Sequence, residues 1–433
     1  MGGYQDVQRL APMAVLGAFR RDPLELFADV ARAPAGIAET SAFGRRMVFI
    51  THPDHVVHVL RDNHRNYTKD APVYRVARPF LGDGLTVSPG GEEWLRRRRL
   101  VQPAFGRSTV EDAARVTEEC LAEVAGRWAT TDTVDASAEM SALSMRFACR
   151  ILFGTELTAE AAALVEDLRL ICDHVANFLA RPFPPLAVPT PANLRFRAAM
   201  RRVRATVAEL VADPRTELIS RLTADGGSTR EQVTDEVLGL FFAGHETLGH
   251  TLAWCWQLLA GHPAAAARLH AELDDVLGDR RPASADLPRL VYTRQVVDEA
   301  MRLYPVVWIM MRRAVGDDTI GGHRIGAGSL VTWSPYAGNR HPDVWQRPDD
   351  FWPERFADEA GRGAAYHRNS VVPFGLGPRA CPGSNLATIQ ACLTVATLAR
   401  HVRGTPPPGA AVAPVPSITL RPAGPVPLHL AGG

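Results

Sequence analysis

The segment Pro373-Phe-Gly-Leu-Gly-Pro-Arg-Ala-Cys-Pro-Gly383 has the makings of an ordered loop around a single thiolate. Glycines at 375, 377 and 383 permit tight backbone turns about Cys381 and present amide N–H groups to its sulfur. The apolar run that follows, Leu386 to Ala399, reads as a buried helix. Its N-terminal end lies beside the sulfur, where the positive end of the helix dipole favours the charged form. A cysteine held this way suits iron.

Working outward, three further constellations carry chemistry. Glu299-Ala-Met-Arg302 sets a carboxylate and a guanidinium three residues apart on one helical face, close enough to pair, and Phe351-Trp-Pro-Glu-Arg-Phe356 adds Arg355. Ala243-Gly-His-Glu-Thr247 sits within a long apolar-rich segment that reads as one helix from about 229 to 260. Ser228 and Glu231 have capping-box spacing at its start, and Gly261-His-Pro263 supplies a stop. A mid-helix glycine costs about 1 kcal/mol against alanine, so a small-residue notch with an acid and an alcohol is the expected return. Trp94 and Arg98 lie one helical turn apart in Gly91-Glu-Glu-Trp-Leu-Arg-Arg-Arg-Arg99, a pairing of donors suited to buried carboxylates.

The order Phe374, Gly375, Gly377, Arg379, Cys381, Gly383 resembles the haem-binding loop of the cytochromes P450, and the other segments resemble, in the family's order, its E-x-x-R helix, P-E-R-F segment, oxygen-binding groove and W-x-x-x-R helix. The resemblance runs from about residue 20 to the C-terminus. It implies a mainly α fold with a small β portion, forming a single large haem-enclosing domain over 1–433, with 1–20 a poorly defined N-terminal segment. It also implies haem b (iron protoporphyrin IX) with Cys381 as axial ligand. Trp94, Arg98, Arg379 and Arg312 would meet the propionates, with Arg313 a competing register for the last. Ala243, Gly244, Phe374 and Gly383 would complete the cofactor site. By the same resemblance Thr247 hydrogen-bonds bound oxygen and Glu246 relays protons, while Glu299, Arg302 and Arg355 form a buried structural network behind the cysteine loop. His245 competes as a second axial ligand, but the family tolerates histidine there.

Composition bounds the same answer. The chain has 433 residues, 46% hydrophobic and 22% charged, with 48 basic and 47 acidic side chains. Near-zero net charge gives no general pull toward nucleic acid or anionic membrane. Lys69 is the only lysine. Six scattered cysteines make neither a disulfide framework nor a zinc motif. The apolar run Leu10 to Phe19 is too short to span a bilayer, and Arg20-Arg21 follow where a signal cleavage site would lie. A cytoplasmic protein without a membrane anchor is expected. Met47 to Ile50 and Gly322 to Val331 read as strands and a hairpin, and Ser417 to Leu420 as a short strand.

The resemblance implies a haem-thiolate monooxygenase of the soluble bacterial type, oxidising a hydrophobic small molecule in secondary metabolism. A thiolate ligand favours O–O cleavage once O₂, two electrons and protons arrive. Electrons would come from a ferredoxin and its reductase, with Arg96, Arg97 and Arg99 a candidate basic docking patch, and the protein is expected to act as a monomer. Substrate-pocket candidates are Phe178, Phe183, Phe241, Phe242, Trp308, Ile309 and Ile418, on segments that include Tyr67 to Leu85 and a Pro-rich lid from 175 to 194. Two other readings stay open: a same-fold oxidase that couples C–N or C–C bonds within its substrate, and a non-catalytic haem sensor. The retained Glu246-Thr247 pair favours O₂ activation over peroxide use.

Overall fold

The computed structural model describes residues 7–42, 44–156, 159–180, 185–357 and 371–432. Its spine is the helix Arg230–Gly261. The cap is one residue later than the sequence suggests: the Gln232 N–H donates to Thr229 Oγ1 at 3.2 Å and the Thr229 N–H to Gln232 Oε1 at 2.8 Å. Ser228 is engaged elsewhere, donating to Asp225 Oδ2 at 2.8 Å and receiving Arg96 at 3.0 Å. The helix ends at His262, and Pro263 opens the next.

Close approach fixes what packs on this spine. A Cβ at Gly249 would lie 3.1 Å from Ser141 Cα, a tight contact that glycine avoids where the helix Ala136–Ala148 comes so near. Ser144 Oγ, on that helix, donates to the His245 carbonyl at 2.7 Å. The helix Ser384–His401 is buried from Gln390 through Ala399 and shares one core with the helix Arg107–Trp128 and the spine. There the Trp128 and Trp256 rings meet at a tilt, 5.1 Å between centroids, a contact worth about 1 kcal/mol beyond area burial.

The β portion is a six-stranded mixed sheet in the order Gln8–Arg9, Ile37–Ala42, Arg45–Ile50, Leu330–Trp333, Met310–Ala314, Tyr67–Thr68. Its middle is covered on both faces. Val48 and Ile50 enter a cluster with Ile37, Val331 and Trp333, while Phe49 enters another with Phe27, Ala38 and Leu420. That two-sided burial explains the unbroken apolar run Met47 to Ile50.

Three expectations shift here. The N-terminus is ordered well before residue 20: Gln8–Arg9 pairs with Ile37–Ala42, and Pro12–Arg21 is helical. The hairpin near 322 begins earlier, pairing Asp318–Ile320 with His323–Ile325 around Gly321 and Gly322, both at positive φ. Ser417 to Thr419 is not strand but the turn between Pro414–Pro416 and Leu420–Pro422, which leaves those side chains free to project.

Candidate active site

The loop around Cys381 closes through three backbone hydrogen bonds: Gly375 N–H to Val372 O at 3.0 Å, Ala380 N–H to Gly377 O at 3.0 Å, and Cys381 N–H to Phe374 O at 2.8 Å. Gly377 has φ 68°, and a Cβ there would stand 2.2 Å from the Leu60 carbonyl oxygen. Gly383 is favoured by close packing rather than by a turn. Its φ is −89°, and a Cβ would press against the Phe105 ring at 3.2 Å. The Cys381 side chain opens into a cavity of about 1390 Å³. Burial raises the thiol's pKa, outweighing the opposing pull of the Gly383 N–H and of Arg98 and Lys69.

The expected Glu299, Arg302, Arg355 set comes together completely. Arg302 donates Nε to Glu299 Oε2 at 2.7 Å and one Nη to Oε1 at 2.9 Å, and reaches the carbonyls of Asn339, Pro348 and Asp350. Arg355 Nε donates to Glu299 Oε1 at 3.0 Å. Side-chain exposure is 0% for both Glu299 and Arg302.

A second group of cations gathers at the cavity: Lys69, Arg98 and Arg379 line it, and Arg312 lies near them. The Arg379 guanidinium lies 4.1 Å over the Trp94 ring and donates to Ser88 O at 2.8 Å. Strand alternation settles the doubled arginine. Arg312 is buried and donates to the Tyr74 hydroxyl at 2.8 Å, whereas Arg313 pairs with Asp70 at 2.7 Å. Sequence reasoning missed Lys69, whose Nζ donates to Thr86 O at 2.8 Å and lines the cavity. Its only signal was being the sole lysine. Burial lowers the Lys69 pKa well below its ordinary value, and Arg312, Arg379 and Arg98 lower it further. Among the described residues, none of these four cations has a carboxylate partner.

The proposed basic patch does not form as drawn. Arg96 is held by Glu93, Asp225 and Ser228. Arg97 is buried, donating to Glu93 at 2.7 Å and to Asp83 O at 2.6 Å. Arg99 alone of the three stays exposed.

On the spine helix the notch is real space: a Cβ on Gly244 would meet nothing within 4 Å. Thr247 Oγ1 donates to the Ala243 carbonyl at 2.7 Å, and both residues line the cavity. Burial raises the Glu246 carboxyl to about 7. His245 turns away, with Nδ1 3.1 Å from Phe241 O and its ring stacked on Phe241. Phe242, Trp308, Ile309 and Ile418 line the cavity, but Phe241 is core, packed on Phe153. Tyr67 is likewise not a lining residue; its hydroxyl donates to Asp318 at 2.6 Å. Phe178 falls on the helix Ala159–Ala180, but its side chain, like all of Phe183, lies outside the described residues. No motif or spacing signalled that the cavity continues beneath the N-terminal helix to Leu16 and Phe19.

The sequence profile described as Cytochrome P450 matches residues 13–425. The chain belongs to the cytochrome P450 family. It is 37% identical to Cyclooctatin synthase of Streptomyces melanosporofaciens, over 96% of this chain and 92% of that protein. It is 35% identical to Cyclooctat-9-en-7-ol 5-monooxygenase of the same organism, over 90% and 87%. With Pentalenene oxygenase of Streptomyces avermitilis it shares 34% identity over 85% and 84%. Its structure resembles that of CYP175A1 from Thermus thermophilus, with a TM-score of 0.82, 26% identity, and coverage of 98% and 100%. As a cytochrome P450 the protein is an oxygen-incorporating oxidoreductase with a haem cofactor, fed electrons by redox partners and acting on a hydrophobic substrate. Among the described residues no helix is long and apolar enough to cross a membrane.

Proposed function

We propose that this cytochrome P450 hydroxylates a polycyclic terpenoid, using haem b ligated by Cys381 and electrons from a ferredoxin and its reductase. The observation that carries the reading is the placement of Cys381, the carboxylate-free cations Lys69, Arg98 and Arg379, and the Gly244 notch around one cavity of about 1390 Å³, with Arg312 close to those cations. Two haem propionates would supply the anions that Lys69, Arg98, Arg312 and Arg379 lack, and the Trp94 indole stacks beneath one of those guanidiniums. The relatives' names point to ring hydrocarbons and their alcohols, and this cavity's lining is correspondingly apolar. The family match across 13–425 supports one domain.

Bound there, haem with a thiolate ligand supplies dioxygen activation. The protein's own groups do the rest. Phe242, Ile309 and Ile418 orient an apolar substrate and exclude water from the notch. Thr247 holds a hydroxyl proton at the notch, and Glu246 holds an exchangeable proton because burial places its titration near neutrality. Glu299 with Arg302 and Arg355 keeps the segment behind the cysteine loop rigid.

The test has two arms. The reduced protein with carbon monoxide should show the strongly red-shifted Soret band of a thiolate-ligated haem, and turnover of cyclic terpene alcohols under labelled O₂ should place one labelled atom in the product. A histidine-type band would remove Cys381 as ligand. Product without labelled oxygen would favour the coupling oxidase over the monooxygenase.

A further inference from the structure

Glu246 is gripped from outside its own helix. Its Oε1 accepts the Thr419 hydroxyl at 3.0 Å, and its Oε2 faces the Cys172 thiol at 3.7 Å. Thr419 is buried in the turn of the C-terminal hairpin, and the same Oγ1 lies 3.0 Å from Nδ1 of His250, one helical turn beyond Glu246. A hydroxyl has one proton to donate and lone pairs to accept, so the three groups make a directed chain with two settings. When Glu246 is ionised, His250 Nδ1–H donates to Thr419 and the Thr419 O–H donates to the carboxylate. When Glu246 is protonated, the carboxyl donates to Thr419, the Thr419 O–H donates to Nδ1, and the imidazole proton sits on Nε2.

We propose that Thr419 is a positioning residue that passes protons between His250 and Glu246, so that this chain reloads its distal acid through the C-terminal hairpin turn. The proposal rests on Glu246 acting as the proton donor above. Going from the first setting to the second, the Nδ1 proton moves to Thr419 Oγ1, the Thr419 proton moves to Glu246 Oε1, and His250 takes one proton from water at Nε2. One proton enters, one is delivered, and no electron moves.

The surroundings suit a neutral wire. Burial, then Arg421 and His245, lowers the His250 pKa to about 3, so its resting form is uncharged. The groups facing Glu246 are Thr419, Cys172, Arg421 and Asp173, and the last two form a 3.0 Å ion pair with side chains 37% and 40% exposed. Arg421 lowers the Glu246 pKa and Asp173 raises it, so their pairing leaves burial as the main influence.

The experiment is an infrared titration of the Glu246 carboxyl in the ferric, substrate-free protein, the band being assigned by its loss in Glu246→Gln. Thr419→Val should move the midpoint above about 7, because the hydroxyl that stabilises the carboxylate is gone, and Thr419→Ser should restore it. His250→Phe should shift the midpoint in the parent but not in Thr419→Val, since the influence passes through that hydroxyl. In turnover, Thr419→Val should lower product per electron roughly tenfold with a matching rise in peroxide, less than the 10²–10⁴ a positioned acid contributes because water partly replaces the hydroxyl. An unmoved midpoint in Thr419→Val, or an equal His250→Phe shift in both backgrounds, overturns the proposal. If Thr419→Val does not fold, Thr419→Ala and the His250→Phe shift in the parent decide. The infrared arm needs no substrate, so a wrong substrate class shows as absent product with the midpoint shifts intact.

Discussion

Two sets of cations in this cytochrome P450 end in opposite ways. Every nitrogen of Arg302 finds a partner within the chain: the two Glu299 oxygens and the carbonyls of Asn339, Pro348 and Asp350. Arg355 completes the set from the neighbouring segment. Lys69, Arg98, Arg312 and Arg379 instead crowd one another, ending on a hydroxyl, an indole and backbone carbonyls with no carboxylate among the described residues. The first set is finished by folding; the second, on the function proposed above, would be finished by the two haem propionates. A charge shielded from water needs a partner, so the same residue type makes a structural clamp in one place and, on the proposed reading, a cofactor cradle in the other.

The comparison breaks most visibly at the atom the cradle serves. Cys381→Ser should keep a folded chain and lose the thiolate-type spectrum entirely, checked by the reduced carbon monoxide spectrum; an unchanged band would move the ligand elsewhere. The clamp is attacked by Glu299→Ala, which strands two buried guanidiniums and should cost about 3–5 kcal/mol, the range for breaking a buried ion pair from one side. Urea unfolding with and without haem measures it, and the loss should appear in both forms.

Arg379→Gln sharpens the contrast because it should act with the opposite dependence on cofactor. Removing one of four crowded cations should leave the haem-free protein as stable as before or slightly more so. A lost charged hydrogen bond of about 1.5–3 kcal/mol should raise haem loss to a scavenger protein roughly 10- to 100-fold. Equal destabilisation with and without haem would class Arg379 with the clamp.

The last effect, spread over a range of pH, concerns a carboxylate with no guanidinium on it. Glu236 accepts the Leu85 N–H on both oxygens, at 3.2 and 3.0 Å, and burial raises its pKa to about 7. A folded pKa above the unfolded value of about 4.5 means that the folded protein binds the extra proton between those pH values. Its stabilising contribution is full below about 4.5 and is lost as pH rises through about 7. Glu236→Gln should flatten that part of the stability–pH curve by up to about 3 kcal/mol, measured as the urea midpoint from pH 5 to 8. A slope unchanged by the substitution would assign it to Glu246 instead.

Much of the site was legible because its parts are local. Loop glycines, an i, i+3 Glu–Arg pair and a Trp–Arg turn each lie within a few residues, and their spacing alone brings the groups onto one face. The caps and turns slipped by small amounts for local reasons too, since Thr229 with Gln232 competes with Ser228 with Glu231 for the same helix start. What the sequence could not show is which side chains meet across large separations. Arg96 and Arg97 read as a basic face until Asp225 and the Asp83 carbonyl claim them. Phe241 and Phe242 are adjacent, yet one faces core and the other cavity.

By itself, then, the sequence determined the family, the cysteine loop and the Glu299 clamp, because covalent spacing and helical period place those groups without help. Only the tertiary structure decided that Lys69 lies among Arg98, Arg312 and Arg379, that Arg312 rather than Arg313 is buried, and that Thr419 bridges His250 to Glu246. Two of those contacts, His250–Thr419 and Tyr74–Arg312, join residues 169 and 238 positions apart. They depend on how strands and helices pack, where a one-residue change of register exchanges the inward face for the outward one.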